Sequence, residues 1–207
     1  MSIPERPKSR LSAAARQADI VQILLALTAQ HSPADITTMD IAKAIGLTQG
    51  AVFRHFPTKE AIWLAVLGWV QQSLLGNIAN AAQSTPDPLK ALRAVFRAHV
   101  QFIEAYPGVP RIIFNELQKP GDSPLKQRVR IILQSHKKTV MDLLQQAKQQ
   151  GQVAAGLRPD CASTLFLGAI QGLVMQSMAS GSLADMGKLA EGVLEAFLTG
   201  VESRESK

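Results

Sequence analysis

The segment Ile36 to Glu60, ITTMDIAKAIGLTQGAVFRHFPTKE, carries two short helical patterns on either side of Gly46. The first spans 38–45 and opens on Thr37-Thr38-Met39-Asp40, where a threonine oxygen can cap free amides and Asp40 suits the positive helix end. The second spans 49–55, opens behind Thr48 and stops before Pro57, because proline disfavours helical geometry in the residue that precedes it. A helix-turn-helix needs a small residue where its helices cross, a glycine in the turn and an apolar residue on the inner face of its second helix. Ala42, Gly46 and Val52 fill those places, with Ile41, Ile45 and Leu47 as further contacts.

Helical periodicity continues outward from this segment, and no window sustains strand alternation. The chain of 207 residues therefore reads as all-α, about nine helices, with an N-terminal three-helix head and a larger C-terminal helical bundle. Upstream, Ile20, Ile23, Leu24 and Leu27 form the apolar stripe of a helix over 12–30, broken at Ser32-Pro33. Downstream, Thr58 restarts a long helix to about 82. Prolines then set the starts: a helix from Pro86 to about Tyr106, a short one after Pro107 ending at Leu117, and others from Pro124 to about Gly151 and from Pro159 to about Ala179. Ser182 to Asp185 caps the last, which runs to about Leu198. The division is a head over 1–58, with a basic arm of Arg6, Lys8 and Arg10, and a second unit over 59–202.

With 46% hydrophobic and 18% charged residues the chain has the composition of a globular protein rather than a disordered one. No run reaches the ~18 uninterrupted apolar residues of a membrane span, and the polar, proline-rich start Met1 to Pro7 lacks the apolar stretch of a secretory signal. Both point to the cytoplasm. Cys161 is the lone cysteine, which excludes an internal disulfide and a cysteine-based metal cluster. The net charge of +6 favours a polyanionic partner, but seven basic and five acidic residues precede position 61 while fifteen and eleven follow, so charge alone is a weak argument for DNA.

The second helix of the pair presents its first residues to base edges, which places Thr48, Gln49 and Gly50 nearest the bases. Gln49 is the best base reader, since its amide pairs bidentately with adenine, and Gly50 permits close approach. Arg54 reads as a guanine or phosphate contact or as a solvated arginine; His55 reads as a phosphate contact, as a ring bracing the next helix, or as both. Thr37, Thr38 and Lys59 are placed for phosphates.

The string Thr38-x-Asp40-Ile41-Ala42-x-x-x-Gly46-Leu47-Thr48-x-Gly50-x-x-Phe53-x-His55-Phe56-x-Thr58-Lys59-Glu60 resembles the helix-turn-helix of the tetracycline-repressor (TetR) family of transcriptional regulators. Phe53 departs from the tyrosine usual there: its ring can press on sugar or a thymine methyl, without a hydroxyl for phosphate. The resemblance implies a dimer and a ligand-binding domain after residue 60. One reading head gives inadequate affinity, and the last two helices carry a ridge of small and apolar residues, Ala162, Leu165, Ala169 and Gly172, with Leu189, Val193 and Phe197, as the expected contact between two copies.

For the ligand, Phe102, Tyr106, Phe114, Met141 and Met175 are expected around an apolar pocket, with Gln171 as a polar contact. Each also reads as ordinary core. His99 and His136 fall on apolar helix faces and read either as ligand contacts or as core rings satisfied by a carbonyl or side chain. Their spacing to Cys161 does not suggest a metal site, and no cofactor is expected. The sequence carries no paired-carboxylate, Ser-His-Asp, glycine-rich phosphate or histidine-rich metal pattern, so the reading is not an enzyme. It is a repressor that binds a palindromic double-stranded DNA operator as a homodimer and is released by a small apolar effector. The alternative keeps the DNA-binding head and gives the large domain a protein partner.

Overall fold

The computed structural model describes residues 12–181 and 186–202. They form nine helices: α1 Ala13–Gln30, α2 Thr38–Ile45, α3 Gln49–His55, α4 Lys59–Ala82, α5 Pro88–Ala105, α6 Gly108–Gln118, α7 Pro124–Gln149, α8 Pro159–Ser180 and α9 Met186–Val201. The basic arm and the expected cap Ser182 to Asp185 lie outside the described residues.

Each boundary has a local cause. Ser12, Thr37, Thr48, Thr58 and Ser123 are N-caps whose hydroxyls accept a backbone N–H three residues on. Pro124 and Pro159 occupy the first position of their helices, where a missing N–H costs nothing. The fifth helix departs from the reading of the sequence: it starts at Pro88 rather than Pro86, because the Asp87 carboxylate accepts from Leu89 N at 3.0 Å and Lys90 N at 3.1 Å. Its end at Ala105 and the start of α6 at Gly108 flank Pro107.

In α1 the buried stripe is Ile20, Val21, Leu24, Leu25 and Thr28, turned slightly from the expected one, with Ile23 and Leu27 half-buried. α1 packs on α2 and α3 to close the head, and on α4 and α6 to join it to the rest. At 24 residues α4 is about 36 Å long and runs from the head into a bundle with α5 and α7. Edge-to-face contacts at 5.3 Å from Phe166 to Phe96 and to Phe197 sit at the bundle's centre. Arg97 and Glu191, paired bidentately at 2.7 Å, and Arg93 with Glu195 tie α9 to α5. α4 and α8 are long and apolar enough by composition to cross a membrane, but Gln71, Gln72, Ser73, Gln171 and Gln176 interrupt them and their inner faces pack on neighbouring helices.

Candidate nucleic-acid interface and apolar pocket

The turn between α2 and α3 is fixed from both sides. Thr37 and Asp40 form a reciprocal capping box: Thr37 N donates to Asp40 Oδ2 at 2.8 Å and Asp40 N donates to Thr37 Oγ1 at 3.2 Å. Hydrogen bonds from Thr37 hold the Asp40 carboxyl below its ordinary pKa. Gly46 ends α2 in the left-handed region at φ 68°, where a side chain is strained, and Leu47 N closes the turn on Ala42 O at 2.9 Å. Ile41, Ala42, Val52 and Phe56 are buried beneath it.

This leaves Thr48, Gln49, Gly50, Phe53 and Arg54 exposed along α3. Nothing lies within 4 Å of a side chain built at Gly50, so the backbone there is open to close approach. Gln49 Nε2 donates to Thr38 Oγ1 at 2.6 Å, a contact that links the two helices at their N-terminal ends. Thr38 keeps its own hydroxyl proton. Thr37 does not: its Oγ1 donates to Asp40 Oδ2 at 2.6 Å, so both its donors serve the cap and the phosphate contact expected of it has no free donor. The His55 ring is half-buried and its carbonyl accepts from Gln17 Nε2 at 3.0 Å, which braces α3 against α1. Lys59 is half-buried beside Pro33, Trp63 and Glu116, in a cleft between head and body.

Between α4, α5, α6, α7 and α8 lies an apolar pocket of about 70 Å³ that opens to solvent beside the exposed Leu117 and Gln171. Five of the expected residues line it: His99 and Phe102 on α5, Phe114 on α6, His136 on α7 and Gln171 on α8. Three do not. Tyr106 turns away to meet Trp69 edge-to-face at 4.8 Å, Met141 lies on another part of α7, and Met175 is 55% exposed on the outer side of α8. In their place come residues the sequence reading passed over, chiefly Val109, Pro110, Ile113 and Leu117 of α6.

The two histidine rings meet edge-to-face with centroids 4.7 Å apart. His99 Nδ1 and His136 Nε2 are buried without a hydrogen-bond partner, a cost of about 1–3 kcal/mol each. Burial pushes the His99 pKa down to about 4, and burial with the neighbouring ring pushes His136 down further, so both are neutral. Glu116, by contrast, pairs with Lys119 and belongs to the cleft, not to the pocket.

On the outer side of α8 and α9, Leu165, Met175 and Leu189 are more than half exposed, and Gly168, Gly172 and Gly192 have open space above them. Ala169 and Val193 are half-buried at the edge of this face. Ala162 and Phe197, expected in a contact between copies, are instead buried within the protomer, Phe197 against Phe166. The spacing of Leu165, Gly168, Gly172, Met175 and Ala179 was the available signal for this face.

A head that presents the first turn of a second helix, joined to an all-helical body with an apolar pocket, defines a DNA-binding transcriptional regulator. Residues 20–66 match the family model described as bacterial regulatory proteins, tetR family. Curated relatives include nucleoid occlusion factor SlmA of Glaesserella parasuis serovar 5, 28% identical over 160 residues that cover 76% of this chain and 79% of that protein. SlmA of Vibrio cholerae is 23% identical, covering 76% and 81%. Among solved structures, the fold is shared with the ketosteroid transcriptional regulator KstR2 of Mycobacterium tuberculosis, at TM-score 0.77, 22% identity and coverage of 91% and 96%. It is shared also with FadR of Bacillus subtilis in complex with stearoyl-CoA, at TM-score 0.77, 19% identity and coverage of 91% and 100%.

Proposed function

We propose that this DNA-binding regulator is a homodimeric repressor that leaves its operator when a small apolar effector enters the pocket. A reading unit to residue 58 and a ligand-binding and dimerising unit over 59–202 divide the work, in the cytoplasm. The observation that carries the reading is the position of α6. Its side chains wall the pocket, and its first residue, Gly108, lies so close to α1 of the head that a side chain there would stand 2.8 Å from the Thr28 backbone carbon. An effector larger than the space the lining leaves free would press on α6, which walls it. Moving α6 releases Gly108 from Thr28, shifts α1, and turns two heads away from half-sites spaced ~34–36 Å or a multiple of it.

In this reading Gln49 supplies base contacts, with Thr48 and Gly50 beside it. Thr38, Arg54, His55 and Lys59 hold phosphates, and Phe53 presses on sugar or a thymine methyl. Leu165, Ala169, Gly172, Leu189 and Val193 meet their copies across a two-fold axis. Selection of bound duplexes from a random pool tests the first part. The expected product is a palindrome; recovery without sequence preference contradicts base reading.

The relatives named as nucleoid occlusion factors favour a second reading, in which the body of a DNA-bound dimer engages a protein partner instead of a small molecule. A screen of apolar metabolites for a rise in melting temperature separates the two. The effector reading expects binders that compete with DNA, and the second expects none.

A further inference from the structure

We propose that the pocket is built for an uncharged, mainly hydrocarbon molecule bearing an alcohol hydroxyl, which His99 and His136 hold between them. The inference rests on the effector reading above and names the chemistry of the effector. The residues lining the pocket include no lysine, arginine, aspartate or glutamate, so a carboxylate or an ammonium group drawn inside it would have no counter-charge. Apart from Gln171, the polar side chains in the lining are the two histidines.

Their geometry selects among neutral groups. A neutral imidazole offers one N–H donor and one bare nitrogen acceptor. No hydrogen bond joins the rings, which meet edge-to-face at 4.7 Å, and His99 Nδ1 and His136 Nε2 each lack a partner and carry almost no accessible surface, so a ligand reaches them once the rings turn toward it. A group that both donates and accepts can serve a bare nitrogen on one ring and an N–H on the other. An alcohol does this without charge. A carbonyl or ether accepts only, and a hydrocarbon leaves both nitrogens as they are. Burial keeps the imidazoles in the neutral form that this pairing needs.

The test uses the full chain and four probes matched in size: benzyl alcohol, ethylbenzene, benzoate and benzylamine, each titrated by protein-detected NMR. Benzyl alcohol is expected to bind about tenfold more tightly than ethylbenzene, and both charged probes more weakly than either. In His99→Phe and His136→Phe the advantage of the alcohol over ethylbenzene should shrink to within about twofold while ethylbenzene still binds. Equal affinity of the alcohol and the hydrocarbon in the wild type overturns the inference alone, and this comparison decides even if the variants fail to fold. A charged probe binding more tightly than the alcohol, or an alcohol preference that survives in a folded variant, also overturns it. Binding by none of the four contradicts the effector reading itself.

Discussion

Gln49 has two partners to choose between. Its amide rests on Thr38 Oγ1 at 2.6 Å, and the same amide is the group best suited to an adenine edge. Gln49→Ala is expected to lose about 1–3 kcal/mol on the best site and to relax preference at one base pair, read from binding isotherms on a set of single-base variants. Unchanged affinity and unchanged preference would contradict the base-reading role. The histidines set a different residue-scale expectation. The unfolded chain protonates them near the ordinary ~6.5, while the folded chain holds His99 neutral down to about 4 and His136 further. Between those values the unfolded state carries more protons, so stability is full above ~6.5 and falls as the pH drops, by about 1.4 kcal/mol per pH unit for each histidine. Denaturation midpoints at several pH values should show this loss, and a variant with phenylalanine at both positions should lack it.

At the scale of elements, the face of α8 and the contact of α6 each give a variant. Gly172 has open space above it, so Gly172→Arg leaves the protomer intact and places a charge where two copies would meet. The expected product is a folded monomer by ultracentrifugation that no longer binds a palindromic site; a dimer of normal size would place the interface elsewhere. Gly108→Ala puts a methyl against the Thr28 backbone, so α6 must move. It should cost about 1–3 kcal/mol in stability and weaken DNA binding without any effector. Lost stability with unchanged DNA affinity would make the contact packing alone. The same elements explain what could be read in advance. The head was legible because its signals are local: Thr37 caps through Asp40, Gly46 supplies the left-handed turn, and Thr48 and Pro57 bracket α3. The pocket and the outer face were legible only in part, because α8 is apolar nearly all round. With no polar stripe to mark the solvent side of α8, its pattern does not tell that Met175 faces out; on α9, Phe197 is as apolar as the exposed Leu189, yet it packs inward on Phe166. The role of α6 depends on Gly108 meeting Thr28, eighty residues away along the chain, and no local pattern announces such a contact.

At the scale of the whole molecule, the excess positive charge is spread along the chain and does not by itself concentrate DNA at the head. In the proposed dimer, recognition comes from two heads held at the right separation, and regulation from anything that alters it. A ligand can shift that equilibrium only through different affinities for the two arrangements. Ligand stabilisation and DNA release must therefore appear together, since DNA would oppose the ligand by the same coupling energy. The most direct measurement takes the compound that gives the largest rise in melting temperature and titrates the selected operator duplex with the full chain, with and without that compound at saturation. Operator affinity is expected to fall by at least about tenfold, the range of ordinary allosteric coupling. Operator affinity unchanged at saturation would contradict the proposed coupling.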